Sequence, residues 1–421
     1  MGSSELERAI ALFKAGKLGE AVDACRRHLS AEPGDPRALH LLGRAFLKGG
    51  KAEEAAEALQ RASSADPSNV QLSLALGSAQ RAAGHAGRAA ETFERVTRTA
   101  PGDGTAWFDL GLALRDQERY ADAAIAFRRA ARIDPSDFDA AQNVVTTLAM
   151  ALRRGLRPFS AAPEVPRRRR SEGISVVVCS IDAGRLARFQ ERLEPHLAGR
   201  VHERIVIRDA SSLSEGYRRG WEQSRYPIVI FCHDDFSIVS EDPFGEIEDA
   251  LASADLVGLA GSTLASGPAV LWSGHPHVHG WIAHPAADGS GLDAAILSFE
   301  SGLIPGMQTL DGVFMAMRRD VPARVGFDER TFDGFHFYDL DFSYRASRAG
   351  LRMAVTTNIT GIHESLGRFD IEFERYSQRF RAKFPELAGP RGAHHWYGAR
   401  LDDATQWAGL CAQLAALARR P

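Results

Sequence analysis

Two short stretches of the 421-residue chain concentrate groups that could do chemistry. Directly after the apolar run PIVIFC comes His233-Asp234-Asp235, and further on GFHFYDLDFSYR (334–345) sets His336, Asp339 and Asp341 among five aromatic rings. Adjacent carboxylates at the mouth of a buried strand repel each other unless a cation sits beside them, and hard divalent ions prefer oxygen ligands. An ion held there could bridge a diphosphate. The same three residues would also serve as an N-cap or turn cluster, a role aspartate favours. In the second stretch, a helix beginning near Tyr338 would put Asp339 and Asp341 two positions apart and so on different faces. Asp341 stands four residues before Arg345, the spacing of an ion pair along a helix, which gives it a structural use. Asp339 falls in the first turn, where backbone N–H groups favour an ionised carboxylate, and is the candidate base. His336 is a second polar contact beside it.

Two further segments carry candidate groups. Asp311-Gly312 precedes the apolar FMAM; glycine there permits close approach of a ligand or of another backbone, and the bland alternative is a turn entering a strand. Residues 272–284, WSGHPHVHGWIAH, gather His275, His277, His279 and His284 with Trp272 and Trp281. Alternating histidines can bind zinc, which would suit a metal-dependent hydrolase. A loop of Gly, Pro, His and Trp is equally what stacks against a sugar.

The elements that must position these groups are legible from residue 173 onward. Short β-branched runs, ISVVVCS (174–180), RIVIRD (204–209), PIVIFC (227–232) and LVGLAG (256–261), alternate with helical stretches at 183–197 and 214–224. That alternation is the arithmetic of βαβ units and predicts a mostly parallel sheet. Ligands of such sheets bind beyond the carboxyl ends of the strands, which singles out Ser180, Asp209, Ser211 and His233-Asp234-Asp235.

Residues 173–385 resemble the glycosyltransferase family 2 type of nucleotide-sugar enzyme with the GT-A (Rossmann-like) fold, in the branch whose acidic motif reads His-any-Asp. The resemblance is carried by SVVVCS, VIRDASS, GYRRG, FCHDDFSI, TLDGVFMAMRRDV, GFHFYDLDFSYRASRAGLRMAV and IHESLG, taken in order. It implies inverting transfer of a sugar from a nucleotide-sugar donor, with a UDP-sugar first in line, to a hydroxyl acceptor with the help of Mn²⁺ or Mg²⁺. Asp235 and His363 would ligate the metal, and Ser180, Asp209, Ser211, His233 and Asp234 would line the donor. Asp339 would be the general base, with Asp311, Gly312, His336 and Trp272 contacting sugar or acceptor. This chain departs from the family's pattern at three places: Tyr338 stands where glutamate is commoner, His233 replaces an acid, and Arg218 stands where asparagine is frequent. The first two departures also fit a second reading, a non-catalytic scaffold with an inactive transferase domain.

The N-terminal part has a different rhythm. Pro33, Pro67, Pro101 and Pro135 recur every 34 residues, and Gly43, Gly77 and Gly111, with Leu59, Phe93 and Phe127, keep the same phase. Small residues are needed where paired helices cross, large ones where the next repeat packs, and proline where a helix must stop. This resembles the tetratricopeptide repeat, most fully at Trp107, Leu110, Gly111, Ala123, Phe127, Ala130 and Pro135. It implies a concave face that binds a peptide, here a protein acceptor. The division expected is a solenoid with closing helix over 1–157, a linker over 158–172, the transferase domain over 173–389, and an amphipathic tail over 390–421 that covers a core edge or a homo-oligomer surface.

Composition sets the outer limits. A formal net charge of −3 gives no global attraction to nucleic acid or acidic membranes, and the single basic run, Arg167–Arg170, reads as a solvated linker. Four scattered cysteines without CxxC spacing suggest neither a disulfide framework nor a zinc knuckle and point to a reducing cytoplasm, with a peripheral membrane position as the alternative. No run approaches the length of a membrane span, and the start, MGSSELERAIALFKAGK, reads as an amphipathic helix rather than a leader.

Overall fold

The computed structural model describes residues 2–160, 173–365, 369–389 and 396–420. Much of the expected linker and its arginine run, together with Leu366 and Gly367 of IHESLG, lie outside the described residues. The chain divides into two compact units, Met1–Leu148 and Ala149–Pro421. That division falls inside the closing helix, Phe138–Arg153, rather than after it.

The first unit consists of helix pairs in strict phase. The first helices of the second, third and fourth pairs, Pro36–Lys48, Val70–Ala82 and Gly104–Asp116, are capped by Asp35, Asn69 and Asp103, whose side chains accept backbone N–H groups of the first turn. Such a cap satisfies donors that the helix itself cannot. A Cβ at Gly43, Gly77 or Gly111 would lie 2.5, 2.6 or 2.7 Å from Leu59, Phe93 or Phe127. The large residue of each second helix is thus seated on the glycine of its own pair, not on the next repeat as the pattern suggested. One crossing is solved once and repeated.

The second unit is built on a seven-stranded sheet ordered β2-β1-β3-β11-β5-β12-β9. Its strands are β1 (Ile174–Cys179), β2 (His202–Ile207), β3 (Ile228–His233), β5 (Leu256–Gly258), β9 (Leu303–Pro305), β11 (Phe314–Arg318) and β12 (Met353–Thr356). The parallel sheet expected from the βαβ rhythm holds for β2-β1-β3. Beyond it the sheet is mixed, because β11 enters antiparallel between β3 and β5 and β9 lies antiparallel on β12. The run LVGLAG, read as one strand, is two: β5 stays in this sheet, and β6 (Ala260–Ser262) turns into a second one.

That second sheet orders β10 (Thr309–Leu310), β6, β7 (Val278–Pro285), β13 (Gly361–His363) and β4 (Phe236–Ile238), with β8 (Leu292–Ile296) on β7 and β14 (Tyr397–Leu401) on β8. The expected tail therefore supplies a strand as well as the helix Ala404–Ala418, whose Trp407 and Leu410 are buried.

Both faces of the main sheet are covered, which is why its strands read as continuous apolar runs. Val176, Val178, Ile228 and Ile230 pack with Leu186, Phe189 and Phe244 on one side. Val177, Val229, Phe231 and Met315 pack with Tyr217 and Phe342 on the other. The polar ends of these strands are left to face outward at one edge.

Candidate active site

Strand pairing brings together residues that are distant in the chain. β13 runs antiparallel to β4 with His363 opposite Phe236, so His363 arrives beside the residue before it, Asp235. The Glu364 N–H donates to the Asp235 carbonyl at 2.8 Å and locks that register. His363 Nε2 lies 3.3 Å, and His233 Nδ1 3.8 Å, from Asp235 Oδ1. Ligand atoms of His233, Asp235 and His363 all fall within 4.8 Å of one another. Burial alone would raise the Asp235 carboxyl, but hydrogen bonding and positive charge from His363, with His233 and Ser365 adding to them, hold it well below the ordinary range. Burial, with the charge of His363, favours neutral His233. An ionised carboxylate beside neutral imidazole is the form that ligates a metal.

Sequence reading placed His233 with the donor; the structure groups it with the two metal candidates. His284, at the end of β7, donates from Nδ1 to the carbonyls of His363 and Ser365, at 3.0 and 3.1 Å, and steadies that strand end.

The N-terminus of the helix Tyr338–Arg348 reaches the cluster through Tyr338, which contacts His233. Asp339 Oδ2 accepts the Gly312 N–H at 2.8 Å. Burial first, and the negative charge of Asp311 second, raise the Asp339 carboxyl to about 7 despite its backbone N–H partners. The first turn of the helix therefore does not hold Asp339 firmly ionised, as its position suggested; the turn only offsets part of the cost of burial. A base with such a value is poised for proton transfer near neutral pH. Asp311 itself accepts the Val313 N–H at 2.9 Å, forming the turn between β10 and β11, and acts electrostatically on His233 as well.

Asp341 has the supporting role its spacing predicted. It is 1% exposed and takes Arg345 at 2.6 Å and Lys383 at 2.5 Å, one on each oxygen. Tyr338 is buried, and its hydroxyl lies 2.8 Å from His233 Nε2 and 3.1 Å from the Gly312 carbonyl. Burial holds its phenol protonated.

Among the residues expected to line a donor, Ser180 donates to Asp234 at 2.6 Å, and Arg185 reaches the other oxygen of that carboxylate at 3.5 Å. Arg185 was not singled out from the sequence; its place in the first turn of the helix that follows β1 was the available signal. Asp209 is exposed and paired with Arg219 at 2.9 Å, while Ser211 is exposed and donates its N–H to Glu215. The buried cap of that helix is the next residue, Ser212.

Other candidates stand apart. His336 packs on Phe373 and Tyr376. Trp272 lies in a short 3-10 turn, Val270–Ser273, its side chain outside the description. The histidines of 272–284 go separate ways: His275 against the Tyr397 ring, His277 near Thr263, His279 to Ser298. Among the described residues they form no ligand cluster, which removes the ground for a zinc hydrolase at this loop.

The second unit is thus a two-sheet α/β domain with an acid–histidine cluster at its strand ends and a second, separately tuned acid next to Tyr338, which contacts that cluster. Residues 175–384 match the Glycosyltransferase like family, and residues 12–79 and 74–138 match two tetratricopeptide repeat families. The chain is a tetratricopeptide repeat array fused to a glycosyltransferase-like domain. Among solved structures, it is similar to MamA 41-end from Desulfovibrio magneticus RS-1, at 21% identity over 37% of this chain and 85% of that one, with a TM-score of 0.34. It is similar also to YrrB, described as a TPR protein with an unusual peptide-binding site, at 21% identity over 36% of this chain and 77% of that one, with a TM-score of 0.33. No curated protein matches the chain. Among the described residues, no helix is long and apolar enough to cross a membrane.

Proposed function

We propose that the C-terminal unit transfers a sugar from a nucleotide sugar, a UDP-sugar first in line, to an acceptor hydroxyl with inversion, and that the repeat array recruits a protein acceptor. The observation that carries this reading is the meeting of two differently tuned acids at one end of the sheet. Asp235 is held ionised beside His233 and His363, and Asp339, next in the chain to the Tyr338 that contacts His233, is raised to about 7.

His233, Asp235 and His363 would hold a divalent cation. Two imidazoles and one carboxylate fit Mn²⁺ better than Mg²⁺, which demands a shell of oxygens. When bound, such an ion offsets the negative charge that develops on a leaving diphosphate. Asp234, fixed by Ser180 and Arg185, orients the donor. Asp339 accepts the proton of the attacking hydroxyl, while the Gly312 N–H holds its Oδ2 in place. In an inverting displacement the base lies on the sugar face opposite the leaving group, a role separate from that of the metal cluster. Tethering an acceptor to the array would raise its concentration near the site. The four free cysteines suit a cytoplasmic location.

The test is a panel of UDP- and GDP-sugars incubated with the full chain, with and without Mn²⁺, scoring nucleoside diphosphate release and donor binding. Release from one donor that depends on Mn²⁺ supports the reading. Absence of both release and binding across the panel points to the scaffold instead.

A further inference from the structure

We infer that Tyr338 is a positioning residue that fixes the tautomer of His233, keeping Nδ1 free to face Asp235 and His363. The inference rests on the metal-site reading above, but its central observation is a count of protons. The Tyr338 hydroxyl lies 2.8 Å from His233 Nε2 and 3.1 Å from the carbonyl oxygen of Gly312, and the Tyr217 hydroxyl is a third hydrogen-bond partner. A phenol has one proton, and a carbonyl can only accept. The phenol proton therefore goes to Gly312, since the Tyr217 hydroxyl has a proton of its own to donate and the carbonyl has none. The contact with His233 is then a hydrogen bond only if Nε2 carries a proton and the phenol oxygen accepts it. A neutral ring protonated at Nε2 has its lone pair at Nδ1, and Nδ1 is the nitrogen that faces Asp235 Oδ1. Metal-binding histidines are commonly oriented in this way through their second nitrogen, by a carboxylate, a carbonyl or water. Here a buried phenol does it, itself oriented by a peptide.

That peptide explains why position 312 is glycine. A Cβ there would collide with the Tyr338 hydroxyl and lie 2.7 Å from the Asp339 Cβ. The carbonyl of Gly312 orients Tyr338, and so His233, while its N–H holds Asp339. The turn between β10 and β11 thereby sets a metal candidate and the base at once. Tyr338, which from sequence alone looked like a missing acid, acquires a use.

The first measurement is long-range ¹H–¹⁵N NMR on metal-free full-length protein carrying ¹⁵N-histidine, with His233 assigned by its loss in His233→Gln. Nε2 is expected at the shift of a protonated nitrogen and Nδ1 at that of an unprotonated one; the reverse assignment overturns the inference without touching the metal reading. The second is Mn²⁺ affinity, read from the free-ion electron paramagnetic resonance signal. Tyr338→Phe is expected to weaken binding about 10- to 100-fold, the usual effect of losing an orienting partner. In a His233→Ala background the same change is expected to cost nothing more, because Tyr338 acts through His233. An unchanged affinity in Tyr338→Phe, or a penalty that persists without His233, overturns the inference. A wild-type protein that binds no Mn²⁺ overturns the metal reading and with it the purpose assigned to Tyr338. If Tyr338→Phe fails to fold, the wild-type tautomer decides alone.

Discussion

The array and the transferase-like domain both depend on glycine at a close crossing, and they use it in opposite ways. Gly43, Gly77 and Gly111 each seat one apolar side chain of the adjoining helix, Leu59, Phe93 or Phe127, so the same local contact recurs pair after pair. Gly312 is used once, and it meets polar groups: the Tyr338 hydroxyl, and Asp339 through its N–H. Repetition makes stability modular, since each pair leans mainly on its neighbours. A catalytic site has no spare copy, so several roles converge on one peptide.

The contrast is sharpest at Asp339, the proposed base. Asp339→Asn is expected to lower turnover about 10²- to 10⁴-fold, the range for loss of a general base, while leaving donor affinity intact. Transfer assays beside donor calorimetry would check this; undiminished transfer would remove Asp339 from the mechanism.

Next come the ion pairs. Asp341→Ala would leave Arg345 and Lys383 without their buried partner, and unfolding by urea should register a loss of about 3–5 kcal/mol. The array's Arg81–Asp116 pair, with side chains 38% and 41% exposed, is its counterpart. Arg81→Ala should cost no more than about 1 kcal/mol. Equal losses at the two sites would erase the distinction between the units.

The glycines give the direct comparison. Gly111→Ala and Gly312→Ala should each destabilise by about 1–3 kcal/mol through overpacking. Only Gly312→Ala should also reduce turnover, by about 10²-fold, because displacing a reacting group costs far more than crowding a helix pair. Activity normalised to the folded fraction is the measurement.

The smallest effect is in pH. Asp339 must be ionised to act and its carboxyl is raised to about 7, so kcat/KM should climb as pH rises through about 7. Burial and the negative charge of Asp311 are what raise it. Asp311→Asn removes that charge and keeps an acceptor for the Val313 N–H, so ionisation becomes easier and the rising limb should move to lower pH. A shift in the opposite direction would break the electrostatic link.

Legibility followed contact range. The phased glycines and the helix Ala183–Leu197 depend on neighbours close in the chain, and their positions could be read directly. The antiparallel insertion of β11 could not, because an apolar strand reads alike in either direction. At the site, spacing identified the Asp341–Arg345 pair, but its second cation, Lys383, comes from another helix. His233 and Asp234 were assigned to one task because they are adjacent. The alternation of a strand end sends them apart, His233 toward Tyr338 and Asp234 toward Ser180.

By itself, the sequence determined that a 34-residue helical repeat precedes an α/β domain, and which residue types gather at its strand ends, because periodicity and capping are local properties of the chain. Only the tertiary structure decided what those residues do. Protonation and ligand geometry depend on groups brought close in space. Asp339 is tuned by burial and by Asp311, and His233 is oriented by a tyrosine whose own partner is a glycine carbonyl from a different turn.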